Sequence, residues 1–245
     1  MTASSDRHVG QLYPSGGLAD DEVQTMAPPG LRFHTTRMPF RRTGIADDLA
    51  LVRDLEAQAG LLADAEVELV AFNCTAASLL VGPAVIRERI ARATGLASVT
   101  TIEAVLEALR AAGLRRIALA TPYLPEVVRA EIDHLAELGR EVVAEAGIPC
   151  DTPVKQGRLD AEIWLDVASR LAESDADGLL LSCAGIRLSP VLGEIERRFG
   201  RPVVASNQAL LWAVLRRLAM PDRPAGFGAL LAGAFDAAAA PVALR

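Results

Sequence analysis

Val67-Glu-Leu-Val-Ala-Phe-Asn-Cys-Thr-Ala76 and Asp177-Gly-Leu-Leu-Leu-Ser-Cys-Ala-Gly185 are one device written twice in a chain of 245 residues. Each is an acidic-led apolar run that stops at a polar residue, a cysteine and small residues. Short runs of this kind, bounded by turn signals, read as strands buried on both faces of a parallel sheet. Around them, β-branched runs alternate with longer amphipathic stretches, the pattern of βα units, and the fold class is α/β with a mainly parallel sheet. In open parallel sheets a ligand sits outside the carboxyl ends of the strands. Both cysteines fall at such an end, one in each half of the chain. Two halves facing each other would set Cys74 and Cys183 on opposite sides of one cleft.

The other elements follow outward from these two. His8–Tyr13 reads as a strand stopped by Pro14-Ser15-Gly16-Gly17, Asp20–Met26 as a short helix and Leu31–Thr36 as a second strand. Ile45–Ala63 reads as one helix with Leu49, Val52, Leu55 and Leu62 on its apolar stripe. Pro83–Ala93 and Ser98–Ala112 read as helices, the second closed by Gly113. Arg116–Thr121 is a strand, Glu126–Leu138 a helix, Glu141–Gly147 a strand and Asp160–Glu173 a helix. After the second cysteine come a helix over Val191–Phe199, a strand over Pro202–Ala205 and a helix over Asn207–Ala219. No linker rich in Pro, Gly or Ser divides the chain, and the halves change over at Leu96–Ser98. Residues 1–6 and the tail after Pro221 read as loosely held.

Composition narrows the function. The chain carries 25 Lys+Arg against 31 Asp+Glu, a net charge of −6, with 51% apolar residues. No basic block interleaved with aromatics supplies the electrostatic footprint of nucleic-acid binding. Apolar runs such as Gly178–Leu181 and Ala229–Phe235 fall short of the roughly 20 residues that span a bilayer, and Met1–Arg7 has no apolar signal core. The expectation is a cytoplasmic protein with neither nucleic acid nor membrane as partner. Three cysteines are an odd number in a chain too large to need staples, so free thiols are expected. Three histidines without ligand spacing suggest no metal site, and no Gly-rich phosphate fingerprint follows the first strand.

A free cysteine is often only a small buried hydrophobe. Cys150, in Ile148-Pro149-Cys150-Asp151, is read that way. Cys74 and Cys183 each follow a strand, have Ser, Thr, Asn or Gly beside them, and precede a helix whose N-terminal amides lower a thiol pKa. Spacing alone leaves function and packing both open for them. His8 and His134 read as surface residues and His34 as a strand residue satisfied locally. Arg37 fits a carboxylate ligand or a structural ion pair, and Asn207 fits the cleft or a helix cap. Asp160 and Asp166 read as capping or solvated.

The stretch from Thr94-Gly95 through Thr100-Thr101 carries a resemblance, together with Ala104-Val-Leu-Glu-Ala-Leu-Arg110 and Arg116-Ile-Ala-Leu-Ala-Thr-Pro-Tyr123. The second cysteine strand, Glu194-Ile-Glu-Arg-Arg198 and Pro202-Val-Val-Ala-Ser-Asn207 extend it. In this order they resemble the arylmalonate decarboxylase and maleate isomerase group of the Asp/Glu racemase superfamily. Phe33-His-Thr-Thr-Arg-Met38 is similar to the maleate isomerase branch in particular, and the likeness runs from about Val9 to Ala219. It implies two pseudo-symmetric Rossmann-like lobes with mainly parallel four-stranded sheets and a cofactor-free site between them. Residues 1–97 plus 208–245 would form the first lobe and 98–207 the second.

On this resemblance Cys183 matches the thiol that delivers a proton in decarboxylases and acts as acid or base in isomerases and racemases. Cys74 matches a position that is cysteine in racemases and isomerases and glycine in decarboxylases. Thr75, Tyr123 and the amide of Ala184, with Gly185 beside it, match groups that hold a substrate carboxylate. Pro14, Ser15, Gly16 and Gly17 match the loop that closes around it. Two departures stand out: maleate isomerases carry an Asn in that loop, and Ala76 stands where the decarboxylases have a Ser.

The chemistry has its own logic. A proton α to a carboxylate is very weakly acidic, so its removal needs preorganised donors for the developing enediolate. Gly16, Gly17, Thr75 and Ala184 are the candidate donors. Two thiols on opposite faces then act as base and acid and invert the carbon. On an alkene diacid a Cys74 thiolate adds, the new single bond rotates, and the thiolate is expelled. The expectation is a cofactor-independent isomerase, racemase or cis-trans, acting on a small carboxylate or dicarboxylate through Cys74 and Cys183. The alternative is an arylmalonate-type decarboxylase using Cys183 alone, and the alternative of another class is a non-catalytic carboxylate-binding protein. Assembly into a homo-oligomer is left open.

Overall fold

The chain runs the same path twice. In the computed structural model, which describes residues 6–239, β1 (Arg7–Pro14), β2 (Leu31–Met38), β3 (Leu69–Phe72) and β4 (Ser98–Thr100) form one sheet in the order β2-β1-β3-β4. β5 (Arg116–Thr121), β6 (Glu141–Gly147), β7 (Gly178–Leu181) and β8 (Val203–Ala205) form the other in the order β6-β5-β7-β8. All neighbours are parallel. β3 and β7 hold equivalent places and are buried throughout, which is why their sequences are continuous apolar runs rather than alternating ones.

The described residues hold twelve α-helices, ten between strands and two after the last strand. The first lobe holds α1 (Glu22–Met26), α2 (Ile45–Ala50), α3 (Leu55–Ala63), α4 (Thr75–Val81) and α5 (Pro83–Thr94). α6 (Thr101–Ala111) leads into α7 (Pro125–Glu137), α8 (Pro153–Gly157), α9 (Ala161–Leu171) and α10 (Leu192–Phe199), and α11 (Ser206–Arg217) and α12 (Gly228–Leu231) close the described chain. With this strand order the chain leaves β1 to one side and returns past it to β3, so a crevice opens between the carboxyl ends of those two strands. The second sheet repeats this with β5 and β7. α11 packs on α6, β3, β4 and β8, and is buried from Ser206 to Leu215. One apolar core accordingly runs from Val9 and Leu69 through Val105 and Leu109 to Leu180 and Val204, while Leu12, Leu55, Phe72 and Ile86 form a second under the first sheet.

Several sequence expectations are corrected. Ser98–Thr100, read as the start of a helix in the second lobe, is a strand paired with β3, so the first sheet extends to residue 100. Thr100 caps α6 in a capping box with Glu103, and that signature marks the true helix start. The single helix expected over Ile45–Ala63 is broken where Asp54 leaves the helical region (φ −106°, ψ 29°). The break moves the apolar stripe: Leu49 is 47% exposed and Asp48 only 3%. The tail after Pro221 is not loose over its described part. Leu230 and Leu231 are buried, Gln208 Nε2 donates to the Phe227 carbonyl at 2.6 Å, and Trp212 Nε1 donates to Asp236 at 3.1 Å. Of residues 1–6 only Asp6 lies within the described residues. His8 and His34 are paired, with rings stacked at 5.1 Å and His8 Nδ1 2.8 Å from His34 Nε2. No described helix is long and apolar enough to cross a membrane.

Candidate active site

Cys74 follows β3 after Asn73 in extended conformation (φ −150°, ψ 110°) and stands at the N-cap of α4, where the Ala76 and Ala77 N–H groups favour its thiolate. Cys183 follows β7 by one residue and enters an irregular turn. The expected helix does not begin until Leu192. Its Sγ accepts from the Gly185 N–H at 3.1 Å, lies 3.7 Å from Gln156 Oε1, and is hydrogen-bonded by the Tyr123 hydroxyl. Both thiols are free, buried, and line the same cleft.

Tyr13, Pro14, Gly17, Thr75, Tyr123, Ala184 and Gly185 line that cleft as well, while Phe40, Leu124 and Val127 give it apolar walls. The free space within the cleft is about 30 Å3. Thr43 bridges its edge, with Oγ1 donating to the Cys150 carbonyl at 2.7 Å and N–H donating to the Asp151 carbonyl at 3.1 Å. Cys150 itself is a core residue whose thiol donates to the Ile148 carbonyl at 3.3 Å.

Ser15 and Gly16 turn aside from the cleft, contrary to expectation. The Ser15 N–H donates to the Met38 carbonyl at 2.7 Å and the Gly16 N–H to the Phe40 carbonyl at 3.0 Å, which zips the loop onto the end of β2 and the residues just after it. The Gly17 N–H closes a turn on the Pro14 carbonyl at 3.0 Å. Gly17 serves the site by its lack of a side chain, since a Cβ there would meet the Tyr13 ring at 2.4 Å. The N–H groups of Thr75 and Ala184 have no acceptor among the described residues. Arg37 is structural: it pairs with Asp20 at 2.6 Å and braces the Ser15 and Gly17 carbonyls at 3.0 Å.

A buried polar seam fastens the two cysteine turns to one another. Thr75 Oγ1 donates to Ser206 Oγ at 2.9 Å, and Ser206 Oγ accepts from the Cys183 N–H at 3.1 Å. Asn73 Nδ2 donates to Gln11 at 3.2 Å and to Asn207 Oδ1 at 3.0 Å, and Asn207 Nδ2 donates to the Ala184 carbonyl at 3.1 Å. Asn207 is therefore a tie between lobes and not a helix cap. Tyr13 adds a second tie, its hydroxyl accepting from the Ala19 N–H and donating to the Ala184 carbonyl, each at 3.2 Å.

Sequence reasoning missed Tyr13, Asp48, Gln156 and Ser206. Tyr13 stands at the carboxyl end of β1, where the rule that found the cysteines would also have found it. The other three carry no local signal. Among the described residues, no group of three His, Cys, Asp or Glu is placed to hold a metal ion.

Electrostatics in the cleft run opposite to the sequence expectation for the thiols. Helix and turn amides pull both pKa values down, but burial outweighs them: the Cys74 thiol is pushed well above its usual value and Cys183 up to about 12. Burial likewise pushes the Tyr123 hydroxyl well up. Asp48, buried beside Asp47, is raised to about 7 against the Gly44 N–H that stabilises its anion.

Behind the second thiol, Glu131 on α7 is buried and raised to about 7, although Ser182 Oγ donates to it at 2.5 Å. Its other oxygen has no hydrogen-bond partner among the described residues. A carboxyl whose folded pKa lies above its unfolded value near 4.3 contributes stability that is complete below the unfolded value and lost as pH rises through the folded one. Between about pH 4.5 and 7 the wild type is expected to lose on the order of 3 kcal/mol that Glu131→Gln, which cannot ionise, does not lose. Denaturant titrations across that range check it. Parallel slopes in the two proteins would place Glu131 in an ordinary ionised state.

The arylmalonate decarboxylase family model matches residues 12–231. The chain belongs to the arylmalonate decarboxylase family. It is 26% identical over 244 residues to the maleate isomerase of Pseudomonas putida, covering 93% of this chain and 98% of that one. It is 38% identical over 126 residues to the arylmalonate decarboxylase of Bordetella bronchiseptica, a match over 51% of this chain and about half, 52%, of that enzyme. Among solved structures it superposes on the Nocardia farcinica maleate cis-trans isomerase, in a cysteine-to-serine variant with a covalently bound succinylcysteine intermediate. The TM-score is 0.85 at 25% identity, over 92% of this chain and 98% of the isomerase. The two lobes of this family member thus follow the architecture the sequence resemblance implied.

Proposed function

We propose that this family member is a cofactor-independent isomerase of a small carboxylate, with Cys74 and Cys183 as its two reacting groups. The observation that carries the reading is the pair of free thiols, brought from equivalent strand ends into one cleft. The Thr75 and Ala184 amides are the donors for a developing enediolate, and the Tyr123 hydroxyl steadies the Cys183 thiol. For a chiral acid, one thiol as thiolate removes the α-proton and the other, protonated, returns one to the opposite face. For an alkene diacid, the Cys74 thiolate adds to one alkene carbon while Cys183 protonates the other. After rotation Cys183 takes that proton back and Cys74 leaves. The succinylcysteine of the Nocardia isomerase supports the addition route, in that enzyme, as chemistry this architecture accommodates. Decarboxylation through Cys183 alone is the second reading, favoured by the 38% match to the Bordetella decarboxylase. We infer a cytoplasmic setting, in which the three free thiols stay reduced.

Proton NMR in D2O tests the reading on maleate, phenylmalonate and a panel of chiral carboxylates. Isomerisation or α-proton exchange without loss of CO2 supports it, CO2 release from malonates alone supports the second reading, and no turnover of any acid overturns both. Because burial raises both thiols, the reactive thiolate is scarce at neutral pH, and kcat/KM is expected to rise about tenfold per pH unit from roughly pH 7 to 9. A pH–rate profile that is flat over that range would remove the thiolate from the rate-limiting step.

A further inference from the structure

The break between α2 and α3 puts a carboxyl where the sequence pattern had placed a leucine. Asp48 is 3% exposed and lines the same cleft as Cys74 and Cys183, with Phe40, Leu124 and Val127 as its apolar company. Its oxygens take one backbone N–H, from Gly44, and among the described residues no basic side chain pairs with it. Its sequence neighbour Asp47 adds a like charge. Among the described residues, no Lys, Arg or His lines the cleft.

Buried carboxyls in native proteins are satisfied, and this one lines the substrate's space with no side-chain partner among the described residues. The cleft thus has two unlike ends. Amide N–H groups at Thr75 and Ala184 suit an anion, and the Asp48 wall suits a donor. Above about pH 7, where Asp48 is ionised, a second carboxylate at that wall would meet a like charge with no cation among the described lining residues to offset it. An aryl ring would seal the carboxyl away with its single partner.

We propose that Asp48 is a specificity-determining residue that accepts a hydrogen bond from an amine or hydroxyl substituent of the substrate and disfavours a second carboxylate in that place. The inference rests on the proposed function for the position of the reacting carboxylate. It separates this chain from relatives named for maleate and arylmalonate.

Three acids of one skeleton test it: 2-aminobutanoate, 2-hydroxybutanoate and ethylmalonate differ only in the group on C2. Their affinities are measured by calorimetry for the full-length wild type, Asp48→Asn and Asp48→Leu. The wild type is expected to bind the amino or the hydroxy acid at least about tenfold more tightly than ethylmalonate, and Asp48→Leu to abolish that ratio. Asp48→Asn, nearly isosteric and still an acceptor, distinguishes the donors: it weakens an ammonium ligand and retains a hydroxyl one. Should the leucine variant not fold, Asp48→Ala, which also removes the acceptor, takes its place and is expected to abolish the same ratio. A wild type that prefers ethylmalonate, that binds none of the three, or whose ratio survives both substitutions overturns the assignment. Deuterium uptake at C2 in the same samples keeps the two ideas apart. An Asp48-dependent preference without any uptake ends the racemase form of the isomerase reading alone, and uptake with a preference indifferent to Asp48 ends the selectivity alone.

Discussion

Cys183→Ser is expected to lower turnover by at least about a thousandfold while leaving substrate affinity nearly unchanged, whichever of the two reactions the enzyme runs. The substitution is close to isosteric. The Cys183 N–H bond to Ser206 and the turn that aims the Gly185 N–H at the side chain both survive it. What changes is acidity. Burial already pushes the thiol up to about 12, and a hydroxyl under the same desolvation lies several units higher, out of reach as an acid or base near neutral pH. The defect should therefore appear in kcat with KM held, and the midpoint of unfolding should move little. A serine variant that keeps more than about a tenth of the wild-type rate would take Cys183 off the proton path.

The sequence announced the parallel sheets and both thiols because these are local facts. A buried parallel strand has to be a continuous apolar run, and a ligand cleft has to lie at strand ends, so Leu69–Phe72 and Gly178–Leu181 point directly to Cys74 and Cys183. Tyr123 and Thr75 come from the family resemblance rather than from that rule. Long-range pairings are silent in the sequence. Nothing in Pro14-Ser15-Gly16-Gly17 says that the Ser15 and Gly16 amides are taken up by Met38, at the end of β2, and Phe40, just beyond it. Asp48 was hidden by periodicity itself, since a single helix over Ile45–Ala63 puts Leu49 inside and the break at Leu51–Asp54 does not. The thiol pKa values went the other way because helix amides are visible in a sequence and burial is not.

Cys74→Gly should separate the two readings more sharply than any other single change. Cys74 sits at φ −150°, an extended conformation open to every residue. Glycine therefore keeps the turn into α4 and the amides of Thr75 and Ala76, at a backbone entropy cost of roughly 0.5–1 kcal/mol. The fold should hold, and the Cys183 thiol with its Gly185 and Tyr123 partners is untouched. With the first thiol gone there is no base on that face of the substrate and no nucleophile to add to an alkene. Isomerisation or racemisation is expected to fall at least about a thousandfold. Loss of CO2 from a malonate needs only a proton delivered to the enediolate by Cys183, so that activity, if the chain has it, should stand unchanged or rise as the cleft widens. Both reactions are to be followed by NMR on one preparation. An isomerisation rate that survives at the wild-type level in Cys74→Gly would end the two-thiol mechanism and leave Cys183 as the only reacting group.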